Sequence, residues 1–106
     1  MATELNRDNY QSEVNQTDKL VLVDFWGPRC SPCLALMPRV EALEKQYDGK
    51  LKVTKLNAAE NRMLCAKLRV MKLPTILFYR DGQEVSRLSG ESLTIEQIKG
   101  AVNEIL

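Results

Sequence analysis

Seven consecutive residues, Leu20-Val21-Leu22-Val23-Asp24-Phe25-Trp26, constrain the fold more than any other stretch of this chain. They are apolar on both faces of an extended strand, and one charge, Asp24, interrupts them. A strand apolar on both sides must be covered on both sides, as the central strand of an α/β sheet is. Directly after it comes Gly27-Pro28-Arg29-Cys30-Ser31-Pro32-Cys33, and from Ser31 onward Cys33, Leu34, Met37, Val40, Leu43 and Tyr47 recur at helical spacing. Two cysteines three apart at a strand-to-helix junction can close into a small disulfide ring and reopen. That is redox chemistry.

The remaining chain reads as partners for that strand. Leu5 precedes Asn6, a good N-cap, and Tyr10 and Val14 fit a short helix from about Arg7 to Asn15. Pro38 falls inside the long helical pattern, where it removes a backbone donor and is expected to kink the helix. Gly49 caps its end, and Leu51 to Asn57 alternates as a strand with Val53, Lys55 and Asn57 on one face. Asn61 is placed to cap a short helix through Leu64, Cys65 and Leu68, with Cys65 read as a core residue. Thr75 to Tyr79 and Glu84 to Ser89 flank Asp81-Gly82, a hairpin signal, and Thr94 caps a last helix. Early strands alternate with helices and the last two form a hairpin, so one α/β domain with a mixed sheet is expected over residues 1–106.

Composition narrows the chemistry. The 106 residues carry a net charge of +1, which gives no electrostatic reason for nucleic acid or an anionic membrane as a partner. No segment approaches the roughly 20 apolar residues of a membrane span. The stretch from Met1 to Asp8 lacks the basic-then-apolar layout of a signal peptide, so a cytoplasmic location is expected. Three cysteines leave one over, against a secreted disulfide framework. The chain has no histidine, which removes Cys-His and Ser-His-Asp catalysis and leaves few ways to hold a metal.

Cys30 falls at the helix N-terminus, where unpaired N–H groups and the helix dipole favour a thiolate. It is the expected attacking thiol, and Cys33, one turn further in, the expected resolving thiol. Half of a zinc or iron–sulfur site is the alternative, with Cys65 as the one further cysteine ligand available. Pro32 fits the first helical turn and holds the two sulfurs near ring-closing geometry. Arg29 sets a permanent charge beside Cys30, either to stabilise the thiolate or as a solvated surface residue. The Ser31 hydroxyl either bonds a sulfur or faces solvent. Asp24 shares a face with Leu22 and Trp26, and its burial raises the carboxyl pKa towards neutrality, where it can take a proton from Cys33.

Taken together, VLVDFW before the cysteines, C-x-P-C, Pro38, the KLN of the next strand, LPT before the hairpin, Gly82 and Gly90 make the chain resemble the thioredoxin family over nearly its whole length. The resemblance implies the thioredoxin fold, a central mixed five-stranded sheet flanked by four helices, and a protein-disulfide reductase that needs no bound cofactor. It implies Asp24 as the acid that assists Cys33, Lys55 as its charged partner, and Trp26 packed beside the site. Pro74 matches the family's cis-proline, which with Leu73 presents backbone to an extended substrate; Gly90 lines the substrate groove or merely permits a bend. The family usually reads W-C-G-P-C-K, whereas this chain has Arg29, Ser31 and Leu34 at the variable positions. Those departures bear on redox potential and partner choice. A less reducing isomerase or oxidant is the rival within the fold, and a binding module with incidental thiols the rival outside it. Disulfide-bonded proteins are the expected substrates of a monomer, with electrons returned by a thioredoxin-reductase-type donor, and Arg29 and Leu34 on the rim make a dedicated donor a reasonable hypothesis.

Overall fold

The structure, a computed structural model, describes residues 2–106; Met1, where the N-terminal reading starts, lies outside them. In chain order the elements are β1 (Thr3–Leu5), α1 (Tyr10–Asn15), β2 (Leu20–Trp26), α2 (Ser31–Gln46), β3 (Leu51–Asn57), a 3₁₀ turn (Ala58–Glu60), α3 (Arg62–Lys67), β4 (Thr75–Arg80), β5 (Gln83–Ser89) and α4 (Ile95–Ile105). The five strands form one sheet in the order β1-β3-β2-β4-β5. β1 and β2 each run parallel to β3, and β4 is antiparallel to both β2 and β5. The doubly apolar strand is therefore the central one. The fold is the mixed α/β sheet with four helices that the sequence pattern calls for.

Alternation along β2 divides its side chains between two cores. Leu20 and Leu22 join Val40 and Leu43 of α2, Val53 of β3, Ile76 and Phe78 of β4, and Ile98 and Val102 of α4. Val21, Val23 and Phe25 join Tyr10 and Val14 of α1, Leu56, Leu77 and Cys65 of α3. Full burial of each such aliphatic or aromatic side chain contributes roughly 1.5–3 kcal/mol, which is why two thin layers suffice for a chain this short. Asp24 follows the Leu20–Leu22 parity and so faces α2.

Local chemistry sets the element ends, twice differently from the expectation. α1 begins at Tyr10 rather than near Arg7, after a single turn closed by the Tyr10 amide on the Asn6 carbonyl at 3.0 Å. The Asn6 Oδ1 accepts from the Asp8 and Asn9 amides at 2.8 and 3.0 Å, so Asn6 caps that turn ahead of the helix. Asn61 stands at the N-cap of α3 without capping it; its Oδ1 accepts from the Arg7 amide and its amide nitrogen donates to the Asn57 carbonyl. α2 runs unbroken from Ser31 to Gln46 with Pro38 inside it. In the hairpin Asp81 and Gly82 both take positive φ, 53° and 78°, as a two-residue turn between twisted strands requires. Thr94 and Gln97 close a reciprocal capping box at the start of α4, at 3.2 and 2.9 Å.

Candidate active site

β2 ends at Trp26, four residues turn the chain, and α2 begins at Ser31. Cys30 is the N-cap of α2, in an extended conformation, and its Sγ accepts a hydrogen bond from the Cys33 amide at 3.2 Å. Sulfur thus occupies the capping position that a serine or aspartate oxygen fills in an ordinary helix. Cys30 and Cys33 are joined in a disulfide, with Cα atoms 5.2 Å apart. Their exposures differ in a way that matters: Cys33 is 1% exposed, Cys30 only partly buried. An incoming reactant meets Cys30 first. Pro32 sits at the second helical position, where no intrahelical N–H is needed. Ser31 is exposed and donates to neither sulfur among the described residues.

On the face of β2 that α2 covers lies an acid. Asp24 is 2% exposed, and its Oδ2 is one of two buried side-chain polar atoms without a hydrogen-bond partner among the described residues. The other is Nε1 of Trp26, two residues along the same face. Burial, then the negative charge of Glu41, push the Asp24 carboxyl up from 3.8 to about 7, against the pull of Lys55. Lys55 stands opposite Asp24 in the β2–β3 register, yet its Nζ pairs with Glu41 Oε2 of α2 at 3.3 Å. The expected meeting of Asp24 and Lys55 is thus replaced by a three-residue arrangement in which Glu41 takes the ammonium. Glu41 is the site residue that sequence reasoning missed. Its signal was present: eleven residues past Cys30, at about 100° per residue, it falls on nearly the same helix face.

The Leu73–Pro74 bond is cis, as the family resemblance implies; Leu73 lines a hollow with Cys30, and Pro74 is buried at the head of β4. Gly90, at φ 116°, donates its amide to the Pro74 carbonyl at 3.0 Å, a role that explains a glycine there. Leu73 divides two hollows. One contains Cys30, Arg29, Gly27, Ala58, Ala59 and Arg62; the other contains Gly90, Lys72 and Glu91. Gly90 therefore lies across Leu73 from the reactive sulfur rather than in the same groove. Cys65 stays in the core under α3, its thiol pKa raised by burial, away from the redox pair.

A buried cysteine bonded to an accessible capping cysteine, a buried acid and a cis-proline coincide with a sequence match. The family model for thioredoxin matches residues 1–104. The chain belongs to the thioredoxin family. It is 40% identical over 103 residues to a thioredoxin of Acetoanaerobium sticklandii, covering 97% of this chain and 98% of that one. A thioredoxin of Peptoclostridium acidaminophilum is 36% identical over 102 residues, covering 96% and 93%, and one of Staphylococcus saprophyticus 42% over 83 residues, covering 78% and 74%. With its Cys30–Cys33 pair, this thioredoxin-family chain is a thiol–disulfide oxidoreductase of the protein-disulfide reductase type. Among the described residues no helix is long and apolar enough to cross a membrane.

Proposed function

We propose that the chain reduces protein disulfides by two exchanges at a single sulfur. The Cys30 thiolate attacks one sulfur of the substrate disulfide, the substrate S–S bond breaks, and the far sulfur leaves as a thiolate that takes a proton. Cys33 then loses its proton to Asp24 and attacks Cys30 Sγ. The mixed disulfide breaks, the second substrate thiolate departs, and the Cys30–Cys33 bond forms, so two electrons have passed to the substrate. The observation that carries this reading is the asymmetry of the pair: an accessible sulfur at a helix N-cap bonded to a sulfur that solvent does not reach.

Asp24 is suited to the second step because a carboxyl with a pKa of about 7 exchanges a proton readily at neutral pH. Lys55 and Glu41 set its charge environment. Pro32 holds the ring geometry, Trp26 flanks the site, and Leu73 with Pro74 borders the groove in which an extended substrate strand lies. The whole of residues 1–106 acts as one domain and as a monomer in the cytoplasm, supported by two cores that share a single sheet. Electrons return from a thioredoxin-reductase-type donor fitted to this chain's own rim, where Arg29 and the 45%-exposed Leu34 flank the cysteines. Pre-reduced protein is expected to cleave the disulfides of a test protein in a turbidity or thiol-release assay, and Cys30→Ser to abolish turnover. Full turnover by Cys30→Ser sinks the assignment.

A further inference from the structure

We propose that the groove beside Cys30 selects disulfides whose cysteine is flanked by acidic residues in an extended protein segment. This rests on the protein-disulfide reductase reading above and adds the substrate's charge to it. The groove, about 670 Å³, has an apolar floor that includes Ala58, Ala59 and Leu73, and two arginines, Arg29 and Arg62, stand over it with no carboxylate in its lining. Both are exposed, and neither has an ion pair or side-chain hydrogen bond among the described residues. Three other cations are engaged: Arg87 forks onto Glu84 and two backbone carbonyls, Lys52 holds Glu13, and Lys55 holds Glu41. Arg62 also lines a second hollow, with Arg7, Asp8 and Glu60, and Lys72, across Leu73, is accompanied by Glu91. Of these three hollows, the one that holds Cys30 is thus lined by arginines and by no carboxylate.

Reaction fixes where the substrate must lie. Its disulfide has to reach Cys30 Sγ, so in an extended strand the residues one or two places either side lie within about 7 Å of that point. This is inside the screening length of about 10 Å at 0.1 M salt. A guanidinium presents a planar fork that matches a carboxylate with two hydrogen bonds. Two such forks over an apolar floor favour a segment that puts glutamate or aspartate beside its cysteine, and they disfavour one that puts lysine there. They also offset the repulsion such an acidic segment has for the attacking thiolate.

The test uses three peptides with one intramolecular disulfide each, identical except that the accessible cysteine is flanked by glutamate, serine or lysine. Second-order rates with the pre-reduced full chain, each divided by the rate of the same peptide with dithiothreitol, remove intrinsic differences in disulfide reactivity. The expected order is glutamate, serine, lysine, with about tenfold between the extremes at low salt, from two exposed attractions gained and two repulsions avoided. The ratio is expected to shrink in 0.5 M salt and to fall several-fold in Arg62→Gln and in Arg29→Gln. Equal normalised rates, a ratio untouched by both substitutions, or oxidised glutathione reduced faster than the glutamate peptide each overturn the inference while leaving the reductase assignment standing. Failure to reduce even the serine peptide overturns that assignment, and this inference with it.

Discussion

Replacing Asp24 by asparagine is expected to stabilise the oxidised protein at neutral and alkaline pH, by an amount that grows with pH. In the folded chain the carboxyl titrates near 7; in the unfolded chain it returns to its ordinary value of 3.8. Below about pH 4 both states hold the proton, and Asp24 adds no pH dependence. Between 4 and 7 the folded state keeps a proton that the unfolded state has released, so stability falls as pH rises. Above 7 both are ionised and the loss is complete. At about 1.4 kcal/mol per pH unit over about three units, the full loss is about 4 kcal/mol, a large part of the margin of any small domain. Asparagine keeps the shape and cannot ionise, so the difference between variant and wild type should climb from its acid plateau by about that amount.

The assay is denaturant unfolding followed by far-ultraviolet circular dichroism from pH 4 to 8.5. Both proteins are kept oxidised so that Cys30 and Cys33 do not titrate. An asparagine amide meeting Lys55 adds a constant offset, so the slope of the difference against pH is the diagnostic and not its value at one pH. A difference that stays flat from pH 4 to 8.5 refutes the reasoning. That result means that Asp24 carries its charge at no expense in the fold, as it would if Lys55 were its partner instead of Glu41's.

Glu41→Gln removes a negative charge near Asp24 and frees Lys55, so the Asp24 pKa, followed by carbon-13 NMR of its carboxyl, should move below 7; Lys55→Met should move it above. Shifts of the opposite sign would overturn the three-residue account. Thr94→Ala removes half of the capping box and should lower stability by about 1 kcal/mol with redox activity retained, measured by denaturant midpoint and thiol release. An unchanged midpoint would show that the box contributes nothing.

How much was legible from residues alone follows from how local the determining physics is. β2, the hairpin and the α4 cap depend on neighbours a few places apart, and the alternation, Asp81-Gly82 and Thr94 announce them. The start of α1 was misplaced because Asn6 can bond either a helix or its own turn, and only the chain around it decides between the two. Asn61 is a similar case, drawn from its cap by the Arg7 amide 54 residues away. The strand register correctly sets Lys55 opposite Asp24, but a four-carbon stem lets the ammonium reach past its register neighbour to a helix lying above. No pattern within either strand encodes that choice. Arg62 escaped notice for the converse reason: the turn after β3 carries it back to a groove whose chemistry is written around Cys30.

The electrostatics of the site therefore work at two depths with opposite signs. At the surface, two arginines line the groove that holds the sulfur proposed to attack. Below, a carboxyl is held near neutrality by burial and by Glu41, on the strand face covered by the helix that carries the buried Cys33. One positive environment and one apolar, negative environment, separated by a single turn of α2, separate the roles of two chemically identical thiols. The proposed order of the two exchanges, Cys30 first and Cys33 second, thus follows which end of that turn faces water.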